Sequence, residues 1–134
     1  MPRLRTIQAA GAFLLLVLAG CAPMQPADNV DSRYLVYFDE FSADLSSDAH
    51  RVIDTAAQRV REIGAKTVRV QGRASATGSA AANQRLTETR TQMVYDALQK
   101  AGTDPTIIQQ QPLGQTTTTD TSVMDRRVDI VLLK

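Results

Sequence analysis

The sequence predicts one domain with an α/β fold of the α+β type, in which six elements follow the order strand, helix, strand, helix, strand, strand. Two stretches, residues 49–63 and 86–101, place apolar side chains on one face of a helix. Two shorter stretches, residues 34–38 and 67–71, have the composition and alternation of β-strands. A chain of 134 residues with 43% hydrophobic content suits one modest domain and is too short for a second.

The first strand and the first helix are separated by an acidic turn. Residues 34–38, YLVYF, are rich in aromatic and branched side chains, and the two acidic residues that follow end the strand. Ser46 or Ser47 can then cap a helix that ends at Gly64, because glycine readily takes the left-handed conformation found after helices. We expect this helix to serve packing alone. Its apolar face comprises Ala49, Val52, Ile53, Ala56, Val60 and Ile63.

The second strand and the second helix are joined by a loop of small residues. Residues 67–71 alternate polar and apolar side chains, as expected of a strand with one buried face. After the loop, Ser79 is a suitable N-cap, and the helix can continue to Ala101 before Gly102 supplies a left-handed turn. The stripe predicted to face the core comprises Leu86, Met93, Val94, Ala97 and Ala101.

Two further strands complete the predicted sheet. Residues 107–108 indicate a third strand, and residues 127–132 indicate a last one. Between them, residues 115–122 form a threonine-rich segment that we expect to be an exposed loop, either a plain connection or a lid. Strand-helix-strand units favour right-handed parallel crossovers, so the last strand must pair at the side of the parallel strands or between them. We therefore predict a four-stranded mixed sheet with both long helices on one face.

The N-terminal segment has the order of features found in bacterial signal peptides. Arg3 and Arg5 precede an apolar run over residues 9–18, which is too short to span a bilayer comfortably. Residues 18–21, Leu-Ala-Gly-Cys, resemble the lipobox of bacterial lipoproteins, and this resemblance implies that Cys21 is acylated. An ordinary secretory signal with an incidental cysteine, or a short buried helix, would be the alternatives.

This segment sets the predicted organisation of the chain: a signal peptide at 1–20, a lipidated cysteine with a short tether at 21–32, and the folded domain at 33–134. The tether holds two prolines and few large apolar side chains. Ala22 stands where an aspartate would favour the inner membrane, so the lipoprotein resemblance implies anchoring in the outer membrane with the domain in the periplasm.

Two polar residues lie within the apolar stripe of the second helix. Asn83 and Arg90 are one heptad apart and point towards the predicted core. A buried arginine needs a partner or an opening, because an unpaired buried charge is costly. The spacing therefore suggests a pocket at the N-terminal half of this helix. Alternatively, Arg90 reaches past the edge of the core or pairs with a carboxylate of the chain.

Three ordered motifs carry a family resemblance. Residues 72–90, GRASATGSAAANQRLTETR, together with YLVYFDEFSADLSSDA at 34–49 and DRRVDIVL at 125–132, resemble the OmpA-like peptidoglycan-binding domain. The resemblance implies that family's β-α-β-α-β-β fold. It also implies noncovalent association with peptidoglycan through the diaminopimelate of the stem peptide.

The same resemblance assigns the residues of the pocket. Arg90 becomes the clamp on the ligand's carboxylate, a task that suits the guanidinium fork. Asn83 matches the family's asparagine. Phe38, Asp39 and Leu45 match residues that line or support the pocket.

One position departs from the family pattern. Ser75 occupies the place of an aspartate that pairs with the ligand's ammonium group, and Arg73 stands where a histidine or tyrosine is common. We therefore expect a pocket that favours anions over zwitterions, with weakened, altered or lost affinity for peptidoglycan. The alternative is an envelope scaffold or protein-interaction module that kept the fold and lost peptidoglycan binding.

The composition speaks against other classes of function. The formal net charge is +1, which gives no basis for nucleic-acid binding. The predicted domain contains no cysteine, one histidine and no phosphate-binding glycine motif, so we predict neither an enzyme nor a metal or cofactor. The expected partners are peptidoglycan, the outer membrane through acylated Cys21, and other envelope proteins.

Overall fold

The computed structural model describes residues 29–116 and 123–134, which form a four-stranded sheet and two helices. The expected signal peptide, Cys21 and residues 117–122 of the threonine-rich segment lie outside the described residues. Neither described helix has the length and apolarity needed to cross a membrane. The strands are β1 (Val30–Tyr37), β2 (Thr67–Ala74), β3 (Ile108–Gln115) and β4 (Arg127–Leu133). The helices are α1 (Ser47–Ile63) and α2 (Ala80–Lys100), with 3-10 turns at Pro105–Ile107 and Val123–Asp125.

The sheet has the order β1-β4-β2-β3. β4 runs antiparallel to both β1 and β2, whereas β2 and β3 are parallel. This arrangement confirms the predicted mixed sheet. It also places the last strand between the first two, which is one of the two positions that the sequence left open.

Serine and glycine residues delimit both helices as predicted. The Ser46 hydroxyl accepts a hydrogen bond from the amide of Ala49 and caps α1, which ends at Gly64 with a φ of 62°. The Ser79 hydroxyl caps α2 in the same way by accepting from the amide of Ala82. Each cap satisfies an amide that the first turn of a helix leaves unpaired.

The hydrophobic core lies between the sheet and the helices. Along β2, every second residue from Val68 to Ala74 is buried, and the residues between them are half-buried on the opposite face. Both helices contribute to the same core, which confirms that they share one face of the sheet. The core residues include Val36, Val68, Val70, Val128, Ile130 and Leu132 from the strands, and Ala49, Ile53, Ala56, Ala57, Val60, Val94 and Leu98 from the helices.

The buried face of α2 is rotated from the predicted stripe. Thr87 and Thr91 are fully buried, whereas Met93, predicted to face the core, is 37% exposed. Each threonine hydroxyl donates to the carbonyl three residues earlier, on Gln84 and Glu88, so that its polar group is satisfied inside the helix. The threonines can therefore face the sheet. The apolar pattern of the sequence did not predict this orientation, because it counted threonine as polar.

Gly72 allows α2 to approach β2 closely at these threonines. A Cβ atom on Gly72 would lie 2.7 Å from Cγ2 of Thr91 and 3.1 Å from the carbonyl oxygen of Thr87. Ordinary carbon–carbon contacts are about 3.5–4.0 Å. The glycine is thus required by packing between a strand and a helix.

Three strands extend well beyond their predicted limits, and one of them is β2, which continues past residue 71 to Ala74. β1 begins at Val30, so residues 30–32 belong to the sheet although the sequence assigned them to the tether. Asp31 fixes this end through ion pairs with Arg59 and Lys134. β3 continues to Gln115 because it pairs in parallel with β2, and this backbone pairing needs no alternation of apolar side chains.

Candidate functional site

Arg90 of α2 connects the helix to the turn between β1 and α1. Its side chain is fully buried. Nε donates to the carbonyl of Ser42 at 2.8 Å, and Nη2 donates to the carbonyl of Asp39 at 2.9 Å. The guanidinium carbon lies 5.0 Å from the centre of the Phe38 ring, within range of a cation–π interaction. Arg90 therefore holds the turn in place through its backbone carbonyls.

The third nitrogen of Arg90 remains available. Nη1 is buried, and no acceptor in the described part of the chain bonds to it. Burial, together with the nearby charge of Arg126, lowers the pKa of Arg90 to about 10. The group stays cationic at neutral pH. A buried donor without an acceptor is unfavourable, so this nitrogen marks a place where an acceptor would be stabilised.

A small cavity lies beside Arg90, with a volume of about 10 Å³. This space is about the size of one water molecule. The loop between β2 and α2 forms one wall with Ser75 and Thr77, and the turn after β1 forms another with Glu40 and Phe41. The remaining walls are Ala74, Asn83, Leu86, Arg90 and Arg126.

The β2–α2 loop is fixed by neutral hydrogen bonds. The side-chain amide of Asn83 donates to the carbonyl of Ser75 at 3.1 Å and to that of Thr77 at 2.9 Å. The Ser75 hydroxyl is 2.7 Å from the Thr77 hydroxyl, and Ser75 is 5% exposed. Asn83 therefore ties the loop to the first turn of α2. This wall of the cavity carries no charge.

The turn after β1 contributes the charged wall. Glu40 is exposed, and within residues 29–116 and 123–134 no hydrogen bond or ion pair involves its carboxylate. Phe41 has a φ of 57° and is 71% exposed. Glu40 is the one acidic side chain among the described residues that line the cavity.

The structure brings together five of the seven residues predicted for the ligand pocket. Ser75, Asn83 and Arg90 line the cavity, and Phe38 and Asp39 contact Arg90 directly.

Leu45 and Arg73 lie elsewhere. Leu45 packs against the hydrophobic core and lines a separate groove, of about 650 Å³, beside Met93 of α2. Arg73 was expected in the loop, but β2 continues to Ala74. Alternation along the strand therefore places Arg73 on the face opposite the helices, where its register partner is Arg127.

Two charged residues of the cavity, Glu40 and Arg126, were not predicted as site residues. Arg126 could have been found by counting back from β4, because it lies two residues before the buried Val128 and so shares its face. Its carbonyl also accepts a hydrogen bond from the amide of Phe38 at 2.9 Å. Glu40 gave no periodic signal, because it lies in a turn.

Chemically, the site combines two guanidinium groups with one carboxylate at the mouth of a small cavity. Such an arrangement suits a polar ligand that carries a carboxylate. Among the described residues, no group of three or more His, Cys, Asp or Glu side chains is placed to hold a metal ion.

Comparison with family models finds one matching family. The family model described as OmpA family matches residues 37–127, more than half of the chain. No curated protein matches the chain in sequence.

Several solved structures share the fold. The OmpA-like domain of FopA1 from Francisella tularensis subsp. tularensis SCHU S4 is 21% identical with a TM-score of 0.65, over 76% of this chain and 73% of that chain. The peptidoglycan-associated lipoprotein from Burkholderia pseudomallei is 22% identical with a TM-score of 0.65, over 74% and 89%. The periplasmic domain of Helicobacter pylori MotB (residues 90–256) is 16% identical with a TM-score of 0.63, over 74% and 68%. At these identities the likeness shows the fold.

Proposed function

Because the chain belongs to the OmpA family, we propose that its folded domain binds peptidoglycan noncovalently, through the diaminopimelate of a stem peptide. The observation that supports this most directly is the buried Nη1 of Arg90, which has no acceptor in the described part of the chain and belongs to a residue that lines the cavity. A ligand carboxylate would supply that acceptor. Bonds between guanidinium and carboxylate groups are among the stronger hydrogen bonds in proteins.

The geometry of Arg90 gives it two roles. Nε and Nη2 hold the turn between β1 and α1, and Nη1 is left for the ligand. The bonds to the turn fix the guanidinium plane before the ligand arrives, which lowers the entropy lost on binding. The amides at the N-terminus of α2 add positive potential on the same side.

We propose that the affinity is weaker than that of a site with an acidic loop. Ser75 supplies no charge, and a charge-assisted hydrogen bond contributes about 1.5–3 kcal/mol, or roughly one to two orders of magnitude in affinity. In addition, an amino acid does not fit a cavity of about 10 Å³. The exposed side chains of Glu40 and Phe41 must therefore move aside when the ligand enters, while the turn's backbone stays bonded to Arg90. The free energy of that movement reduces the measured affinity.

We further propose that Cys21 anchors the domain to the outer membrane, as its lipobox-like sequence implies. Several acyl chains would give a stable anchor, since each buried methylene contributes about 0.8 kcal/mol. Because β1 starts at Val30, the connection comprises residues 22–29 and spans at most about 26–29 Å. The domain would therefore work close to the membrane surface in the periplasm.

Sedimentation of the full chain, purified in detergent, with purified peptidoglycan tests the proposal. The native protein should co-sediment, and free meso-diaminopimelate should displace it. Arg90→Ala should reduce retention at least tenfold. Arg85→Ala is the matched control, because Arg85 is exposed on the same helix and its loss should change nothing.

Circular dichroism must show that each variant is folded, since Arg90 also supports the turn. If Arg90→Ala does not fold, displacement of the native protein by diaminopimelate still decides the matter. A folded native protein that is not retained, or whose retention is insensitive to diaminopimelate, would contradict the proposal.

The alternative function, an envelope scaffold or protein-interaction module, is favoured by the small volume of the cavity and by the neutral Ser75 wall. It predicts a folded, membrane-anchored protein that does not sediment with peptidoglycan. The same experiment therefore separates the two functions.

A further inference from the structure

We propose that Glu40 supplies the acidic contact that Ser75 cannot, so that the site recognises an amino-acid headgroup, carboxylate and ammonium together, and not a simple anion. This inference rests on the proposed function and names the specificity of the same site. It also reverses the expectation, drawn from Ser75 alone, that the pocket should favour anions over zwitterions.

The loop wall cannot select an ammonium group by charge. Its two hydroxyls, on Ser75 and Thr77, lie within 2.7 Å of each other, and the carbonyls of both residues accept from Asn83. These groups are neutral and already engaged. A ligand cation must therefore find its anionic partner on another wall.

Glu40 is on the facing wall and is held there by Arg90. The two carbonyls that bond the guanidinium belong to Asp39, directly before Glu40, and to Ser42, two residues after it. The backbone that carries Glu40 is thus fixed on both sides by the group whose Nη1 is offered to the ligand. An α-amino acid has its carboxylate and ammonium on one carbon, so one headgroup could contact Nη1 and the Glu40 carboxylate together.

The charges around the cavity agree with this assignment. Arg90 and Arg126 are close enough for the charge of Arg126 to lower the pKa of Arg90. Two cations alone would favour any carboxylate, with or without an amino group. The Glu40 carboxylate is the described lining group that can distinguish the two, and no ion pair in residues 29–116 or 123–134 occupies it.

The test compares two ligands by calorimetric titration of the full chain in detergent. Meso-diaminopimelate and pimelate have the same seven-carbon dicarboxylate chain, but pimelate lacks the amino groups. The native protein should bind diaminopimelate at least tenfold more tightly than pimelate. Glu40→Gln should lower the affinity for diaminopimelate about tenfold and leave the affinity for pimelate equal or higher, because one repelling carboxylate is lost.

Asp44→Asn is the matched control, since it removes the same charge from the same turn at a residue that does not line this cavity, and it should keep the native preference. A Glu40→Gln variant that keeps the preference, or a native protein that binds both ligands equally, overturns the inference and leaves the proposed function standing. A native protein that binds neither ligand overturns the proposed function itself.

Discussion

Replacing Gly72 with alanine tests whether the close contact between β2 and α2 sets the position of the site-bearing helix. The new Cβ would lie 2.7 Å from Cγ2 of Thr91 and 3.1 Å from the carbonyl oxygen of Thr87. Thr91 cannot rotate away without losing the bond from its hydroxyl to the carbonyl of Glu88. The helix must therefore shift outward by several tenths of an ångström.

The expected magnitude follows from this overlap. Overpacking a well-filled core costs about 1–3 kcal/mol. Alanine restricts the unfolded chain more than glycine does, which offsets about 0.4–1 kcal/mol. We expect the free energy of unfolding to fall by about 1–2 kcal/mol, and Tm by about 4–16 °C for a domain of this size. Urea denaturation and thermal melting of the full chain, followed by circular dichroism, measure both quantities.

Thr91→Ser provides the matched partner, because serine keeps the hydroxyl and lacks the methyl group that alanine would meet. Alone it should cost about 0.8 kcal/mol, the value of one buried methyl or methylene group. In the double variant, the two changes should be less destabilising together than their sum. Part of the cost should remain, because Thr91→Ser does not relieve the 3.1 Å contact between the new Cβ and the carbonyl oxygen of Thr87. Native stability in Gly72→Ala, or strict additivity in the double variant, would show that the contact does not constrain the helix.

Three further predictions follow from individual residues. Ser75→Asp in the Glu40→Gln background should restore the preference for diaminopimelate over pimelate about tenfold, because it places a carboxylate on the loop wall, opposite residue 40; calorimetric titration measures it. Asp31→Asn should lower the stability of the domain at neutral pH, because hydrogen bonds from Lys134, Ser32 and Arg59 hold the pKa of Asp31 at about 2, below the ordinary value of 3.8. That difference should be complete above pH 3.8 and should vanish as the pH falls through about 2, as denaturation at a series of pH values will show. Cys21→Ser should release the protein from the membrane fraction and abolish incorporation of labelled fatty acid.

Each of these predictions has an outcome that contradicts it. Unchanged selectivity in the Ser75→Asp variant would mean that residue 75 is out of reach of the ligand. A stability difference for Asp31→Asn that persists below pH 2 would assign its effect to packing. A Cys21→Ser protein that stays with the membrane, together with a native protein that takes up no fatty acid, would remove the lipoprotein interpretation.

The sequence predicted the elements whose residues follow a period. The chemistry of capping predicted the start of α2 at Ser79 and left Ser46 or Ser47 for α1, where the structure has Ser46, and alternation predicted residues 67–71 of β2. β3 was reduced to two residues in the prediction because the run Gln109–Gln111 carries no apolar pattern. Its Pro112 is tolerated because β3 is an edge strand. The rotation of α2 was missed because threonine is polar in sequence yet can satisfy its hydroxyl within its own helix.

The candidate site was predictable only in part, and for a physical reason. Arg90 and Asn83 lie on one helix, so their common direction follows from a single periodicity. Glu40 and Arg126 reach the same cavity from a turn and from the start of β4, and only the tertiary fold places such distant positions together. Arg73 was predicted in the loop of the pocket, but β2 continues to Ala74. Alternation along the strand therefore places Arg73 on the face of the sheet opposite the helices.

The position of β1 has a mechanical consequence if the chain is anchored at Cys21 and bound to the cell wall through Arg90. Tension would enter the domain at Val30 and leave it near Asp39 and Ser42, which lie just beyond the other end of the same strand. The pull would therefore run along β1, at right angles to the hydrogen bonds that join it to β4. In this geometry, all the hydrogen bonds between β1 and β4 share the load at once, and they cannot be broken one after another. β1 is an edge strand, and edge strands are ordinarily the easiest to peel away. Here it becomes the strand that carries the load between the membrane and the cell wall.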